Sequence, residues 1–419
     1  MPQLQCSRGE RLKLLLVNPA IYDFTAFDFW LRPYGLLRVA GRLRRCDLTV
    51  FDYLVSHDRD NFGRGRFDRQ LLPKPAPLSD MPRRFYRFGR SRDDFRSLLL
   101  SQDFDVVLVQ TVMTYWYLGV REVIEDVRRF QPHARIVLGG VYASLCQRHA
   151  SQLGSDLVLS GTDLTPLELP LTDGLPYWEG LDSSVGVLKI TEGCPFRCTY
   201  CSVPLLYPHF EGRPLEFCLE ELRHLVRLGA RDIAFYDDAL LFKPDRILLP
   251  FLDAVLREDL RVAFHTPNAL NARFITAEIA ALMVRAGFKT FYLGLESAEY
   301  EWQRRTGGKV YSEEFADAVR CLRGAGALSI TAYVIAGHPA SIEQNLEQSM
   351  HFAAEQGAHV MLSEFAPIPG TPDGEACRGY ADLDEPLNHN KTAFTVRRLG
   401  VERVQHLKDL CRVLNARSC

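Results

Sequence analysis

The chain has 419 residues, 47% hydrophobic and 24% charged, enough to bury substantial cores and to form two domains. A formal net charge of −2 gives no general attraction to nucleic acid or an anionic membrane. No apolar run approaches the roughly 18 residues that a membrane helix requires, so neither a nucleic-acid partner nor a membrane span is expected.

The start, MPQLQCSRGERLKLLLVNP, passes from a polar stretch straight into a short strand and is read as lacking a signal peptide. Eleven cysteines, mostly scattered, suit a reducing cytoplasm better than a disulfide scaffold. From about residue 10 to 165, short apolar runs alternate with helical patterns. Strands are predicted at Leu12–Val17, Leu48–Tyr53, Asp105–Gln110 and Ile136–Leu138, and a helix at Leu36–Leu43. Val120, Val123, Ile124 and Val127 mark one face of a helix over Val120–Phe130. Strands alternating with helices imply a doubly wound parallel sheet with ligands at the strands' carboxyl ends. No G-x-G-x-x-G or Walker sequence appears, which disfavours a dinucleotide or nucleoside triphosphate.

Residues 61–92 interrupt the pattern with nine Lys or Arg side chains against Asp68 and Asp80. Pro73, Pro75, Pro77 and Pro82 argue against a regular element there. The stretch reads as a solvated basic loop or, alternatively, as a lid whose cations meet an anion.

From about 184 to 380 the sequence reads as six strand–helix units. Strands are predicted at Val185–Thr191, Asp232–Tyr236, Arg261–His265, Lys289–Leu293, Ser329–Ile335 and His359–Phe365. The helices between them are Leu219–Leu228, Arg246–Leu256, Ala277–Ala286, Glu313–Gly324 and Ile342–Glu355. Residues 385–419 form a helical tail of mixed charge.

Directly after the first of these strands stands ITEGCPFRCTYCSVP, with Cys194, Cys198 and Cys201 in a C-x₃-C-x₂-C spacing. Three thiolates on one short loop can hold three irons of a four-iron cluster and leave the fourth open. Complete ferredoxin-type sites use four cysteines, and zinc sites use further Cys or His ligands at short spacing. Cys218 lies 17 residues on within a predicted helix, and His209 has no second His at ligand spacing. Spacing alone leaves a zinc site, a complete cluster, an open cluster and chance core cysteines as alternatives.

At these residues the chain resembles the radical S-adenosylmethionine (SAM) superfamily, whose C-x₃-C-x-φ-C signature has an aromatic φ, here Tyr200. The resemblance implies a partial (β/α)₆ barrel, a [4Fe-4S] cluster on the three cysteines, and SAM chelating the open iron. It also implies reductive SAM cleavage to a 5′-deoxyadenosyl radical, with the electron coming from a low-potential donor such as flavodoxin or ferredoxin. The protein's share would be to bind, orient and shield. Later strand ends fit this resemblance in order. Tyr236-Asp237-Asp238 follows the second strand, where the family places groups for the SAM amino nitrogen. Gly294-Leu295-Glu296-Ser297 resembles a G-x-E-S sequence of this branch and makes Glu296 a second acidic candidate. Val334-Ile335-Ala336-Gly337-His338-Pro339 resembles the adenine-contact motif without its first glycine, so Ile335 and Gly337 would meet the adenine. Pro367-Ile368-Pro369-Gly370-Thr371 resembles the loop after the sixth strand. His265 and Asn268 add polar groups after the third. Any one acid or His at a strand end has an alternative reading as a helix cap or a satisfied core group.

The amino-terminal segment resembles the cobalamin-binding domains that precede many radical-SAM barrels. The resemblance rests on Asn18-Pro19, Arg32-Pro33-Tyr34-Gly35-Leu36-Leu37, Asp105–Gly119 and Val137–Ser144. It implies that Met113, Tyr115, Gly139 and Gly140 line a cobalamin site, the glycines admitting close backbone approach. The D-x-H-x-x-G sequence that supplies a lower axial His is absent, so bound cobalamin would be base-off. Together these resemblances imply methyl transfer to an unactivated carbon of a small molecule or peptide that the sequence does not identify. The alternatives are a radical-SAM enzyme without working cobalamin and a non-catalytic iron–sulfur or cobalamin sensor.

Overall fold

The computed structural model describes residues 11–341 and 343–417. The opening residues, Ile342 at the start of its predicted helix and the last two residues of the tail lie outside that description. Two compact units emerge. The first takes the described residues up to Ser79 with Arg83–Asp182 and Asp384–Leu387; the second takes Asp80–Pro82, Ser183–Leu383 and the chain from Asn388.

The first unit is built on a five-stranded parallel sheet of β1 (Lys13–Asn18), β2 (Asp47–Asp52), β3 (Val106–Thr111), β4 (Arg135–Gly140) and β5 (Leu157–Val158), in the order β5-β4-β3-β1-β2. Leu14–Val17 and Val106–Val109 are buried continuously because helices cover both faces of the sheet. The order reverses between β1 and β3, and such a switch point opens a crevice at the strands' carboxyl ends. The helix Tyr117–Phe130 buries the predicted stripe of Val120, Val123, Ile124 and Val127.

The basic stretch is not an irregular solvated loop. Arg69–Leu72 and Phe85–Phe88 pair antiparallel with each other, and Phe85–Phe88 also pairs with Ile21–Asp23. Pro73, Pro75 and Pro77 sit in the connection between the two strands, where no ladder hydrogen bond is required of them. Several of the cations are internal. Buried Arg87 makes two hydrogen bonds to buried Glu122 at 2.9 and 2.7 Å, and Arg92 pairs with buried Asp126 at 2.6 Å.

The second unit carries six parallel strands: β6 (Val185–Leu188), β7 (Asp232–Phe235), β8 (Ala263–Leu270), β9 (Phe288–Glu296), β10 (Ser329–Ala336) and β11 (His359–Glu364). They lie in consecutive order, each helical crossover returning the chain to the adjacent position, with β6 and β11 as edges. Phe235 and Phe288 stack in its core at 5.5 Å with an interplanar angle of 3°. Thr276 starts the helix Ala277–Arg285 by accepting a hydrogen bond from the Ile279 N–H at 3.2 Å. The helix Val401–Arg417 protects the β11 edge: Asn415 accepts from the Val360 N–H at 2.7 Å and donates to its carbonyl at 2.9 Å. Among the described residues no helix is long and apolar enough to cross a membrane.

Candidate functional site

Beyond β6 the chain makes a short pairing of Thr191–Glu192 with Glu211–Gly212 and then turns at Gly193. Gly193 has φ +74°, and a Cβ there would fall 2.3 Å from the His209 carbonyl oxygen, so only glycine fits. The turn delivers Cys194, Cys198 and Cys201 to one loop at the carboxyl end of the sheet. Cys198 is buried and the other two are half-buried.

Other strand ends hold this loop in place. The Thr199 N–H donates to the Thr306 carbonyl at 3.1 Å, and the Thr199 hydroxyl donates to Asp373 Oδ2 at 2.5 Å. The Asp373 N–H returns a bond to the Thr199 carbonyl at 3.1 Å. His338 approaches the same carboxylate oxygen with Nε2 at 2.9 Å, while its Nδ1 accepts from the Ala340 N–H at 3.2 Å and the Trp302 indole at 3.4 Å. Acceptance at Nδ1 assigns the proton to Nε2, which donates to Asp373. Tyr200 stacks on Trp302 at 5.8 Å and meets the edge of His338. Burial, the neighbouring Glu296 and the adjacent thiols push its phenol well above the usual range.

The donor set fits a four-iron cluster better than a single metal ion. Among the described residues no three His, Cys, Asp or Glu side chains converge closely enough to hold one ion. A cubane spreads its ligands over separate corners and makes no such demand. Cys218, the nearest further cysteine in sequence, points its thiol at the Lys189 carbonyl, 3.9 Å away. Burial pushes all three loop thiols up, Cys201 to about 12, and Lys309 works against that rise at each one. Ligation to iron would remove those protons outright.

The acids predicted at the strand ends occupy different situations. Asp237 is buried. Its Oδ1 accepts from the Ile190 N–H at 2.9 Å, the Thr191 N–H at 2.5 Å and the Thr191 hydroxyl at 2.6 Å, while Oδ2 has no hydrogen-bond partner among the described residues. Burial pushes its carboxyl up to about 6 against those hydrogen bonds. Asp238 pairs with Lys189 at 3.1 Å, and the Lys189 ammonium also lies over the Tyr207 ring at 4.5 Å. Glu296 closes β9 in a left-handed conformation, φ +64°, and is half-buried. Burial raises its carboxyl, opposed by the Lys309 charge. A Cβ on Gly294 would fall 2.8 Å from Glu296 Oε1 and 3.3 Å from Lys309 Nζ, so the missing side chain makes room for both. Ile335 is buried, and Gly337, at φ +82°, lies where a Cβ would strike Thr395 Oγ1 at 2.6 Å. His265 is tied to Thr290 and Asp232, and Asn268 donates to the Tyr236 carbonyl at 2.9 Å.

Lys309 and Asp373 were not singled out by the sequence reading. The signal for the first was Thr306-Gly307-Gly308 before it, two glycines at positive φ that turn the chain against the cysteine loop. For Asp373 the signal was weaker, an acid two residues beyond Thr371, whose hydroxyl accepts from the Gly374 N–H.

In the first unit the switch point is spanned by a polar chain. Asn18 donates to Asp52 at 2.7 Å, Gln110 donates to Asn18 at 3.2 Å, and the Leu36 N–H donates to Gln110 at 3.2 Å. Of the residues implied for cobalamin, Met113 is 42% exposed whereas Tyr115 is 1% exposed and packs edge-on against Trp116. Gly139 is half-buried and Gly140 exposed. A Cβ on Gly140 would lie 2.2 Å from the Thr111 carbonyl oxygen, so main-chain packing alone requires that glycine. His57 is held by Asp58 and Asp68 at 3.1 and 3.2 Å.

The family description "Radical SAM superfamily" matches residues 188–353. An uncharacterized methyltransferase of Pyrococcus horikoshii is 26% identical over 219 residues, 52% of this chain and 45% of that protein. The radical SAM methyltransferase TsrM from Kitasatospora setae, solved with cobalamin and a [4Fe-4S] cluster, superposes with a TM-score of 0.63 at 16% identity, covering 88% of this chain and 79% of that one. The cobalamin-dependent SAM radical enzyme OxsB, solved with aqua-cobalamin and SAM, gives 0.58 at 14% identity over 96% of this chain and 61% of that one. The structural likeness is one of fold, and it agrees with the expected order of a Rossmann-like parallel sheet followed by a second parallel α/β sheet. The chain spans 42% to 64% of the length of the first curated relatives it matches.

Proposed function

We propose that this chain, which carries a radical SAM domain over residues 188–353, is a cytoplasmic cobalamin-dependent radical SAM methyltransferase acting on an unactivated carbon. One observation carries the reading. The braced three-cysteine loop stands at the carboxyl end of the first strand of a consecutive six-stranded sheet, preceded by a sheet with its own switch point. Ligands gather at such strand ends.

When bound, the cluster and SAM supply one electron and a 5′-deoxyadenosyl radical, and cobalamin supplies the methyl group. The chain's own residues bind and orient. Cys194, Cys198 and Cys201 would hold three irons of the cluster. Tyr200 shields the loop from its position against Trp302. Glu296 has the most available carboxylate for the SAM ammonium, because Asp238 is shared with Lys189 and Asp237 braces the backbone. Ile335 and Gly337 would form the adenine wall, and Met113, Tyr115, Gly139 and Gly140 would line the cobalamin site. An electron from a low-potential donor such as flavodoxin or ferredoxin completes the requirement, and the substrate is a small molecule or peptide.

The test is cobalamin stoichiometry after anaerobic reconstitution with iron, sulfide and hydroxocobalamin. About one base-off cobalamin per chain is expected, with 5′-deoxyadenosine formed from SAM under reductant. A second reading, radical chemistry without cobalamin, is favoured by the buried Tyr115 and by the main-chain explanation of Gly140. A full cluster with no bound cobalamin selects it. A cluster that never cleaves SAM selects a sensor.

A further inference from the structure

Lys309 follows a turn that is pressed onto the cysteine loop. Gly307 and Gly308 have φ +119° and +58°, and a Cβ on Gly307 would sit 3.1 Å from Cys198 Cα and 3.2 Å from the Arg197 carbonyl oxygen. The Thr306 carbonyl accepts the Thr199 N–H from that loop at 3.1 Å. On its far side the turn is anchored by Arg273, which donates to the Gly308 carbonyl at 2.7 Å and pairs with Glu314 at 2.7 Å. Glu314 in turn accepts the Tyr311 N–H at 2.8 Å, closing the capping box of the next helix. Lys309 is therefore a half-buried cation carried on an anchored turn. Among the described residues no carboxylate lies within ion-pair distance of it. The contact of Gly307 with Cys198 sets Lys309 beside the cysteine loop, and its Nζ lies 3.3 Å from where a Cβ on Gly294 would stand.

A cluster held by three thiolates becomes more negative by one charge when it accepts an electron, without making or breaking a bond. A fixed cation in a partly dry site stabilises the more negative state, and net charge and exposure are the terms that set iron–sulfur potentials. Glu296, near the space left by Gly294, is the opposing group, and it is the same in the parent and in every Lys309 variant.

We propose that Lys309 is a positioning charge that raises the reduction potential of the cluster on Cys194, Cys198 and Cys201, making the single electron from a low-potential donor easier to accept. This rests on the cluster reading above.

The experiment is a mediated redox titration of the full chain, reconstituted anaerobically without SAM and followed by electron paramagnetic resonance of the reduced cluster. Lys309→Met and Lys309→Gln should each shift the midpoint to more negative values. A tenfold loss in the reduced-to-oxidised ratio at fixed potential corresponds to about 59 mV for one electron. Lys309→Arg, keeping the charge, should titrate with the parent. Neutral variants with full iron content and the parent potential would overturn the proposal while leaving the cluster reading intact. Loss of iron in both neutral variants, with full loading of Lys309→Arg, would assign the residue to assembly and also overturn it. A parent chain that holds no four-iron cluster overturns both.

Discussion

The cysteine loop of the second unit and the strand ends of the first keep their shape by different means. Around the loop, side chains do the holding: Asp373 gathers Thr199 and His338, and Asp237 gathers the backbone at Ile190 and Thr191. At the ends of β1, β3 and β4, an amide chain through Asn18 and Gln110 is joined by a main-chain contact of Gly140 with Thr111. A site braced by acids and a histidine holds its ligands in a fixed geometry before they arrive. The glycine contact is required by the fold itself, with or without a ligand.

The largest effect in this comparison comes from the cysteine loop. Cys198→Ala should reduce bound iron and 5′-deoxyadenosine formation to background, while helix content by circular dichroism stays at the parent level. Retained SAM cleavage with a full cluster signal would refute the ligand assignment. The corresponding break in the first unit is Arg87→Ala, which leaves Glu122 buried without its cation. Stranding one member of a buried pair costs about 3–5 kcal/mol, to be read from denaturant unfolding. A basic stretch that was only a solvated loop would lose within about 0.5 kcal/mol, so the two descriptions of residues 61–92 separate cleanly.

Legibility in the sequence follows the same division. The parallel strands were readable because burial on both faces writes them as unbroken apolar runs such as Leu14–Val17. The cysteine loop was readable because three ligands of one type stand within eight residues. The antiparallel strands Arg69–Leu72 and Phe85–Phe88 were hidden by prolines that lie in their connection, and by a cation whose partner, Glu122, is 35 residues away. Lys309 and Asp373 were hidden for a related reason. Each acquires its place only when chain segments more than 100 residues apart meet the cysteine loop. The Asp237-Asp238 pair was legible as two acids, but not as one brace and one ion-pair member, because that choice depends on which carboxylate the backbone at Thr191 reaches.

That choice gives the smallest and sharpest prediction. The Asp237 carboxyl titrates at about 6 in the fold, against 3.8 as its ordinary value, because burial disfavours its charge more than the Thr191 and Ile190 hydrogen bonds and Lys189 favour it. A raised acid stabilises the fold fully below its unfolded value, and that contribution is lost as pH rises through about 6. Between pH 5 and 7.5 the parent should therefore lose on the order of 1 kcal/mol through this group. Asp237→Asn keeps an oxygen for the three donors and cannot ionise, so its unfolding free energy should be flatter with pH by that amount. Its SAM affinity should stay near the parent's if Asp237 is a brace. A variant with parent-like pH dependence but weakened SAM binding would move the carboxylate from the loop's framework to its ligand, and leave Glu296 as the second acid of the site rather than the first.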